Sequence, residues 1–408
     1  MAHAAYDDLT TLDNLFFQRN TNNSTENEDI KAFLDLVKKM LTVDPSNRIL
    51  PADALKHPFI TMEHLNGASD EHYVRNARKL MKNVQPEKFP SDGETEISER
   101  PAPSQVPSVQ TNLDRSLPKA EFDKSASSTV QCCLKESKGG KVTEKTSIDT
   151  REKNELLSFL KNEEAMCSKK SLEKTNDTHS TDSESLSSKL IPGKMIEGFP
   201  KVYIVEQVLG SGAYGAVARC RIQETNEVVA LKITRVSDYI SFFSEIKVLE
   251  RLNEVTQYDS YFIRLNNSFA FQGFLYQEFE LLDKDLCEFV ENKGGSLKVA
   301  EIRAIAQQIL VALSALKHLG ITHADVKLDN IMLVNHKAQP FRVKLIDFGF
   351  ACETETLEQK GSIQNLAYRA PEITLGLPRD EAIDTWSLGY ISAVRFTPSF
   401  HRDRAPHS

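Results

Sequence analysis

A chain of 408 residues is long enough for two to three domains at the usual ~150 residues each. Its 50 Lys and Arg against 58 Asp and Glu leave a formal charge of −8, which argues against a general nucleic-acid binder, a class marked by basic patches or a basic pI. The 40% hydrophobic share lies under the ~45–50% of a packed domain, so part of the chain is expected to stay unpacked.

The opening MAHAAYDDLTTLDNL has no positive n-region and no apolar h-region, so no secretory signal is expected. From Glu28 to Leu41 the residues Ile30, Phe33, Leu34, Val37 and Leu41 fall on one helical face. Pro45 stops that helix and biases Asp44 away from helical angles. A short helix over Pro51–Lys56 leads into His57-Pro58-Phe59-Ile60, and residues 70–82 are amphipathic through Tyr73, Val74, Ala77, Leu80 and Met81. Residues 1–87 are thus a helical fragment with too little chain to close its own core.

Residues 88–190 are rich in Ser, Thr, Glu, Lys and Pro, with three aromatics (Phe89, Phe122, Phe159). Such a composition cannot bury enough apolar surface to offset chain entropy and predicts a disordered linker. Within it, Leu156 to Leu160 is a patch for a helical turn on a partner, with solvated linker as the alternative. No stretch of ~18 apolar residues runs uninterrupted, so no membrane partner is expected. The six cysteines (Cys132, Cys133, Cys167, Cys220, Cys287, Cys352) have neither metal-ligand nor disulfide spacing and read as reduced thiols of a cytosolic or nuclear protein.

From residue 191 strands come first and helices later. Tyr203–Leu209 and Glu227–Thr234 read as strands, Ser244–Leu249 as part of a helix, and Val299–Leu319 as a long helix. That order predicts an α+β fold of two lobes. Gly210-Ser211-Gly212-Ala213-Tyr214-Gly215-Ala216-Val217 is a GxGxxGxV loop, whose glycines let backbone approach phosphates. A strand–loop–helix dinucleotide site is its rival, but here a strand follows the loop. Val229-Ala230-Leu231-Lys232 begins 19 residues beyond Gly210, and Lys232, set among apolar neighbours, needs an anionic partner such as Glu245.

His323-Ala324-Asp325-Val326-Lys327-Leu328-Asp329-Asn330 is the sharper signal. Asp325 is placed to accept a hydroxyl proton, Lys327 to steady a transferred phosphoryl group, and Asn330 to hold a metal ion. Asp347-Phe348-Gly349 follows 17 residues beyond Asn330, with Asp347 as the second Mg²⁺ ligand. Ala370-Pro371-Glu372 and Asp384-Thr385-Trp386-Ser387-Leu388-Gly389 complete the series.

In these motifs residues 195–394 resemble a eukaryotic protein kinase. The resemblance implies a β-rich N-lobe and a helical C-lobe, ATP and Mg²⁺ as cofactors, and protein substrates. It adds Phe279 as gatekeeper, Glu280 to Leu282 as the hinge that pairs with adenine, and Val217, Ala230 and Leu333 as further ATP-binding residues. Lys327 resembles the serine/threonine kinases, and Tyr368-Arg369 before Ala370 the proline-directed branch. Thr225 to Ala230, His323-Ala324-Asp325, Gln339 to Lys344 and Leu375 to Pro378 resemble the homeodomain-interacting protein kinases. That subfamily implies transcription regulators as partners and a nuclear location, with the cytoplasm as the other compartment; no run of five basic residues is present and pairs such as Lys169-Lys170 read as solvated linker. It also has Ala before the catalytic Asp, so Ala324 is expected. Ser362 stands where the subfamily has an activating tyrosine, so tyrosine autophosphorylation there is excluded, and with Ala324 in place of arginine the loop needs no phosphate. Leu328-Asp329 replaces the family's Pro-Glu.

Residues 28–65 resemble the far end of the same fold, through Phe33 to Asp44, Arg48 and His57-Pro58-Phe59. The order is inverted: a kinase ending, a linker, then a kinase domain at 191–395 that stops inside its Trp386 helix, followed by an unstructured tail at 396–408. The truncation takes away core partners of the C-lobe. Residues 28–65 can fold back across the linker, which spans ~50–60 Å as a flexible chain, and pair Arg48 with Glu372. Two readings follow. One is an ATP-dependent serine/threonine kinase, proline-directed; the other is a non-catalytic kinase-derived binding protein or an unstable fragment from joined tandem genes.

Overall fold

Asn23 starts the first helix. Its side chain accepts the Glu26 N–H at 3.3 Å, and α1 (Ser24–Met40) follows. The apolar pattern puts that start at Glu28; the cap brings it forward by a turn. The computed structural model describes residues 21–84, 186, 190–198, 200–212, 215–361 and 363–396. Helix α1 buries Ile30, Phe33, Leu34, Val37 and Met40. Asp44 caps a 3₁₀ turn at Pro45–Asn47, and α2 (Pro51–Leu55), α3 (Pro58–Thr61) and α4 (Glu71–Val84) complete the segment.

The linker expected over 88–190, with its Leu156–Leu160 patch, lies outside the described residues except at Leu186 and Leu190. These two correct the expectation, because both are buried in the core on one face of a sheet, with Ile196, Tyr203 and Phe269. Leucines isolated in a polar stretch still bury where a sheet offers them a face.

That sheet has six antiparallel strands in the order β1-β2-β3-β4-β6-β5. They are β1 (Met195–Glu197), β2 (Val202–Gly212), β3 (Gly215–Ile222), β4 (Val228–Arg235), β5 (Leu265–Phe271) and β6 (Phe274–Glu280). β2 outruns its expected end at Leu209, since Gly210, Ser211 and Gly212 pair with Val217, Ala216 and Gly215. Helix α5 (Tyr239–Glu254) packs against β4 and β5.

The second lobe holds α6 (Leu286–Asn292), α7 (Val299–His318), α8 (Pro371–Leu375) and α9 (Ala382–Phe396). Two small antiparallel ladders carry its loops: β7 (Ile321–Thr322) with β10 (Cys352–Glu353), and β8 (Ile331–Leu333) with β9 (Val343–Leu345). By length and composition α7 is the one helix among the described residues that qualifies to cross a membrane, yet 78% of its most apolar window is buried inside the protein. Its all-round apolarity is that of a helix packed on every side.

What packs around α7 comes from both ends of the chain. The described residues at 21–84 and 190–396 belong to one compact unit, and an apolar core runs through both. α1 lies on α9, while α2 and α4 lie on α7. Phe396, the first residue of the expected tail, ends α9, is buried, and sets its ring 5.0 Å from that of Phe33; the rest of that tail, 397–408, lies outside the described residues. At Gly389 a Cβ would sit 2.8 Å from Met40 Cβ, so the crossing of α9 and α1 has no room for a side chain there.

Candidate active site

The glycine loop is the hairpin that joins β2 to β3. A Cβ on Gly210 or Gly212 would meet no atom within 4 Å, so the loop leaves open space where side chains would otherwise project. Gly215 is held differently: its φ is +155°, and a Cβ would press on the Ile233 carbonyl at 2.5 Å. Ser211 lies on β2, while Ala213 and Tyr214 lie outside the described residues.

Sheet register carries the next residues into place. Val217 pairs with Gly210 on one side and Lys232 on the other, and Ala230 pairs with Phe279. Lys232 Nζ donates to both Glu245 carboxylate oxygens at 2.9 Å and lies 3.5 Å from Asp347 Oδ1. Burial works against its charge, but Glu245 and Asp347 outweigh it and hold the ammonium above its ordinary value. Gln277 donates to Glu245 Oε2 at 3.2 Å, steadying the carboxylate from the neighbouring strand. Among the hinge residues, Phe279 and Leu282 are buried, whereas the Glu280 side chain turns to the Arg264 N–H and Lys344. Leu333, fully buried on β8, is tied to the hinge by Asp283 N to Leu333 O at 2.9 Å and Leu333 N to Lys284 O at 2.8 Å.

A second cluster forms on the loop after β7. Asn330 Nδ2 donates to the Asp325 backbone oxygen and to its Oδ2, both at 2.9 Å, and Lys327 Nζ reaches the same Oδ2 at 2.8 Å. Burial lowers the affinity of Lys327 for its proton, but Asp325 more than offsets it and the net shift is upward. Asp347 sits in the left-handed region at φ +59°, and Ala324 at φ +61°. Non-glycine residues persist there only where surroundings over-determine them. For Ala324 those surroundings are visible: its N–H and that of His323 donate to the two Asp384 oxygens at 3.0 and 2.8 Å, and its carbonyl accepts the Gln364 N–H at 3.0 Å. Burial pushes the Asp384 carboxyl up to about 7 against those two bonds.

The two clusters meet through His323. Its Nδ1 accepts the Asp325 N–H at 3.3 Å, so the proton is assigned to Nε2, which donates to Ile346 O at 3.0 Å. Its ring packs on Phe348, 4.9 Å between centroids, and burial holds it neutral by lowering its pKa. For Asp347 burial is likewise the largest influence and raises its pKa, but the charge of Lys232 foremost, with the Gly349 N–H, outweighs it and leaves the carboxyl below the ordinary range. Ile346 N donates to Asn330 O at 2.9 Å, which sets the two metal-ligand candidates on adjoining backbone; no side-chain bond joins them among the described contacts.

Three contributors were not assigned from sequence. Asp384 was placed only at the head of a helix, and Gln277 and Gln364 carried no signal, since an amide in a strand or loop reads as solvated. Ser362 lies outside the described residues.

With this geometry in place, comparison with known proteins gives a consistent answer. Residues 203–404 match the protein kinase domain family. Homeodomain-interacting protein kinase 2 of Mesocricetus auratus is 39% identical over 212 residues, covering 51% of this chain and 18% of that protein. Homeodomain-interacting protein kinase 4 of Homo sapiens is 41% identical over 196 residues, covering 47% of this chain and 32% of that protein. The chain thus spans less than a third of the length of these relatives. A solved kinase domain aligns with a TM-score of 0.45 at 24% identity, covering 50% of this chain and 67% of that one.

Proposed function

We propose that this chain is a eukaryotic protein kinase close to the homeodomain-interacting subfamily and transfers the γ-phosphate of ATP to serine or threonine hydroxyls of proteins. The observation that carries this reading is Lys232 held by both oxygens of Glu245 within 3.5 Å of Asp347. A half-buried lysine held between two carboxylates supports the reading of a cation that meets phosphates better than that of a strand-edge charge.

The glycine loop, from Gly210 to Gly215, lies over the phosphates, and Lys232 orients them. Asp325 takes the proton from the substrate hydroxyl as its oxygen attacks phosphorus. Lys327, 2.8 Å from Asp325, places positive charge where the transferred group passes. Asn330 and Asp347 are the residues that would hold Mg²⁺. One amide oxygen and one carboxylate fit that ion, which retains waters and phosphate oxygens in place of a full protein cage; no cluster of three or more His, Cys, Asp or Glu suited to a metal occurs among the described residues. When bound, Mg²⁺ neutralises charge on the phosphates.

Proline direction has its own support. Gln364 lies at φ +60° and its carbonyl accepts from Arg369 Nη2 at 2.9 Å. That carbonyl is spent inside the chain, so a substrate residue offering an N–H there finds no acceptor, and proline has no N–H to satisfy. Homeodomain-bearing regulators in the nucleus are the substrates we propose on the name of the relatives.

The test is phosphate transfer by the purified chain to a Ser-Pro peptide and its Ser-Ala counterpart. Asp325→Asn should lower turnover at least 1,000-fold, and the Ser-Pro peptide should be favoured about tenfold. Transfer that survives in Asp325→Asn would sink the assignment of the base.

A further inference from the structure

Residues 21–84 do more in this structure than lie beside the kinase domain. Phe33, Val37 and Met40 of α1 are buried where it crosses α9, and Phe33 packs between Phe59 and Phe396 at 5.3 and 5.0 Å. Polar links cross the same seam. Arg48 donates through both terminal nitrogens to Glu372, at 2.6 and 2.9 Å, with both side chains fully buried. Arg303 of α7 is fully buried too; it pairs with Asp29 and donates to the Phe59 carbonyl at 2.6 Å. Arg342 donates to the Val84 carbonyl at the end of α4.

One of these links leads to the catalytic loop. Arg48 Nη1 also donates to the Ala382 carbonyl at 2.9 Å, the first residue of α9. Two residues on, Asp384 holds the His323 and Ala324 N–H groups immediately before Asp325. A side chain from the start of the chain thus fixes the helix end that fixes the candidate base.

We infer that residues 21–84 form a detachable half of the C-lobe, an internal subunit whose docking on α7 and α9 positions the catalytic loop through Arg48. The covalent tie matters little for that docking. The tie makes the docking intramolecular, while the buried pairs and aromatic contacts supply the specificity. Release would expose Phe396 and the apolar faces of α7 and α9 to water, which opposes it. Arg48 is a positioning residue here, since it touches neither substrate nor nucleotide in this reading.

The experiment uses the full chain with a protease site inserted after residue 120. After cleavage the two pieces should co-elute one to one and unfold in a single transition close to that of the uncut chain. Excess synthetic peptide of residues 21–84 carrying Arg48→Ala should exchange in and lower turnover about tenfold or more, with the KM for ATP within twofold, whereas the unaltered peptide leaves turnover unchanged. Pieces that separate, with the larger one keeping its transition and its turnover, overturn the docking. A labelled Arg48→Ala peptide that is taken up without loss of turnover overturns the positioning role. An intact chain that elutes as a dimer and loses its folded transition on dilution replaces the chain's own segment with that of a second copy. If the uncut chain transfers no phosphate, the proposed function falls, while co-elution and the shared transition still decide the docking.

Discussion

The two lobes hold their buried charges together over very different lengths of chain. In the sheet lobe, Tyr203 donates to Glu278 across 75 residues and Lys232 pairs with Glu245 across 13. In the helical lobe, Arg303 reaches Asp29 across 274 residues and Arg48 reaches Glu372 across 324. Closing the longer loops adds only about 1 kcal/mol over the 75-residue loop and about 3 kcal/mol over the 13-residue one, because each doubling of length costs roughly 0.6 kcal/mol. The inverted order is therefore cheap at equilibrium, and its expected cost is kinetic, since non-local contacts form late. Stability of the helical lobe rests on whether the seam pairs are made.

The largest effect should come from breaking one of them. Arg303→Leu removes the partner of a buried carboxylate and is expected to cost about 3–5 kcal/mol in denaturant unfolding, in line with other buried pairs. A loss below about 1 kcal/mol would mean that Asp29 and Arg303 do not meet. The sheet lobe offers the control. Tyr203→Phe deletes a hydrogen bond to Glu278 that Lys201 also supports at 2.8 Å, and should cost about 1.5–3 kcal/mol. A smaller and more direct probe of the seam is Gly389→Ala. Its new Cβ meets Met40, so it should cost about 1–3 kcal/mol despite the better helix propensity of alanine. Met40→Gly in the same chain removes the Cβ that the new methyl meets and should relieve that strain, giving a coupling of about 1 kcal/mol in a double-mutant cycle. Additive losses would place α1 elsewhere.

The sheet lobe was also the more legible one. Tyr203–Leu209 and the β-branched run Glu227–Thr234 announced β2 and β4, and their ends moved by one residue except where pairing through the glycines carried β2 on to Gly212. The long helix over Val299–Leu319 was equally plain, but Arg303 within it was not. A charged residue on a helix reads as solvent-facing, and Arg303 is interior because a segment from the other end of the chain covers it. Asp29 was hidden for the same reason. Leu186 and Leu190 were lost in a polar composition, since a window average cannot see two leucines that find a sheet. At the site, the titratable residues announced themselves by spacing, while Gln277 and Gln364 emerged only when the fold brought their side-chain amides to Glu245 and to Ala370, Ile383 and Ser387.

The smallest expected effect separates the lobes by pH. Burial alone would raise the pKa of Asp29, but hydrogen bonds from His64 and Tyr73 and the charge of Arg303 overcome it and leave the carboxyl below its ordinary value. A carboxyl depressed in the folded state stabilises fully above its unfolded value near 4, and that contribution fades as pH falls through the lower folded value. The stability gap between the natural chain and Asp29→Asn should therefore be level from pH 8 to 5 and narrow below about 4. Tyr203 behaves oppositely: burial and Glu278 push its hydroxyl upward, so its contribution is intact at any pH below about 10 and the Tyr203→Phe gap stays level from pH 5 to 8. Unfolding curves at pH 7, 5 and 3.5 measure the Asp29 gap directly. One that stays level to pH 3.5 would mean that Asp29 holds no extra charge stabilisation, and that Arg48 and Glu372 carry the charge pairing of the seam.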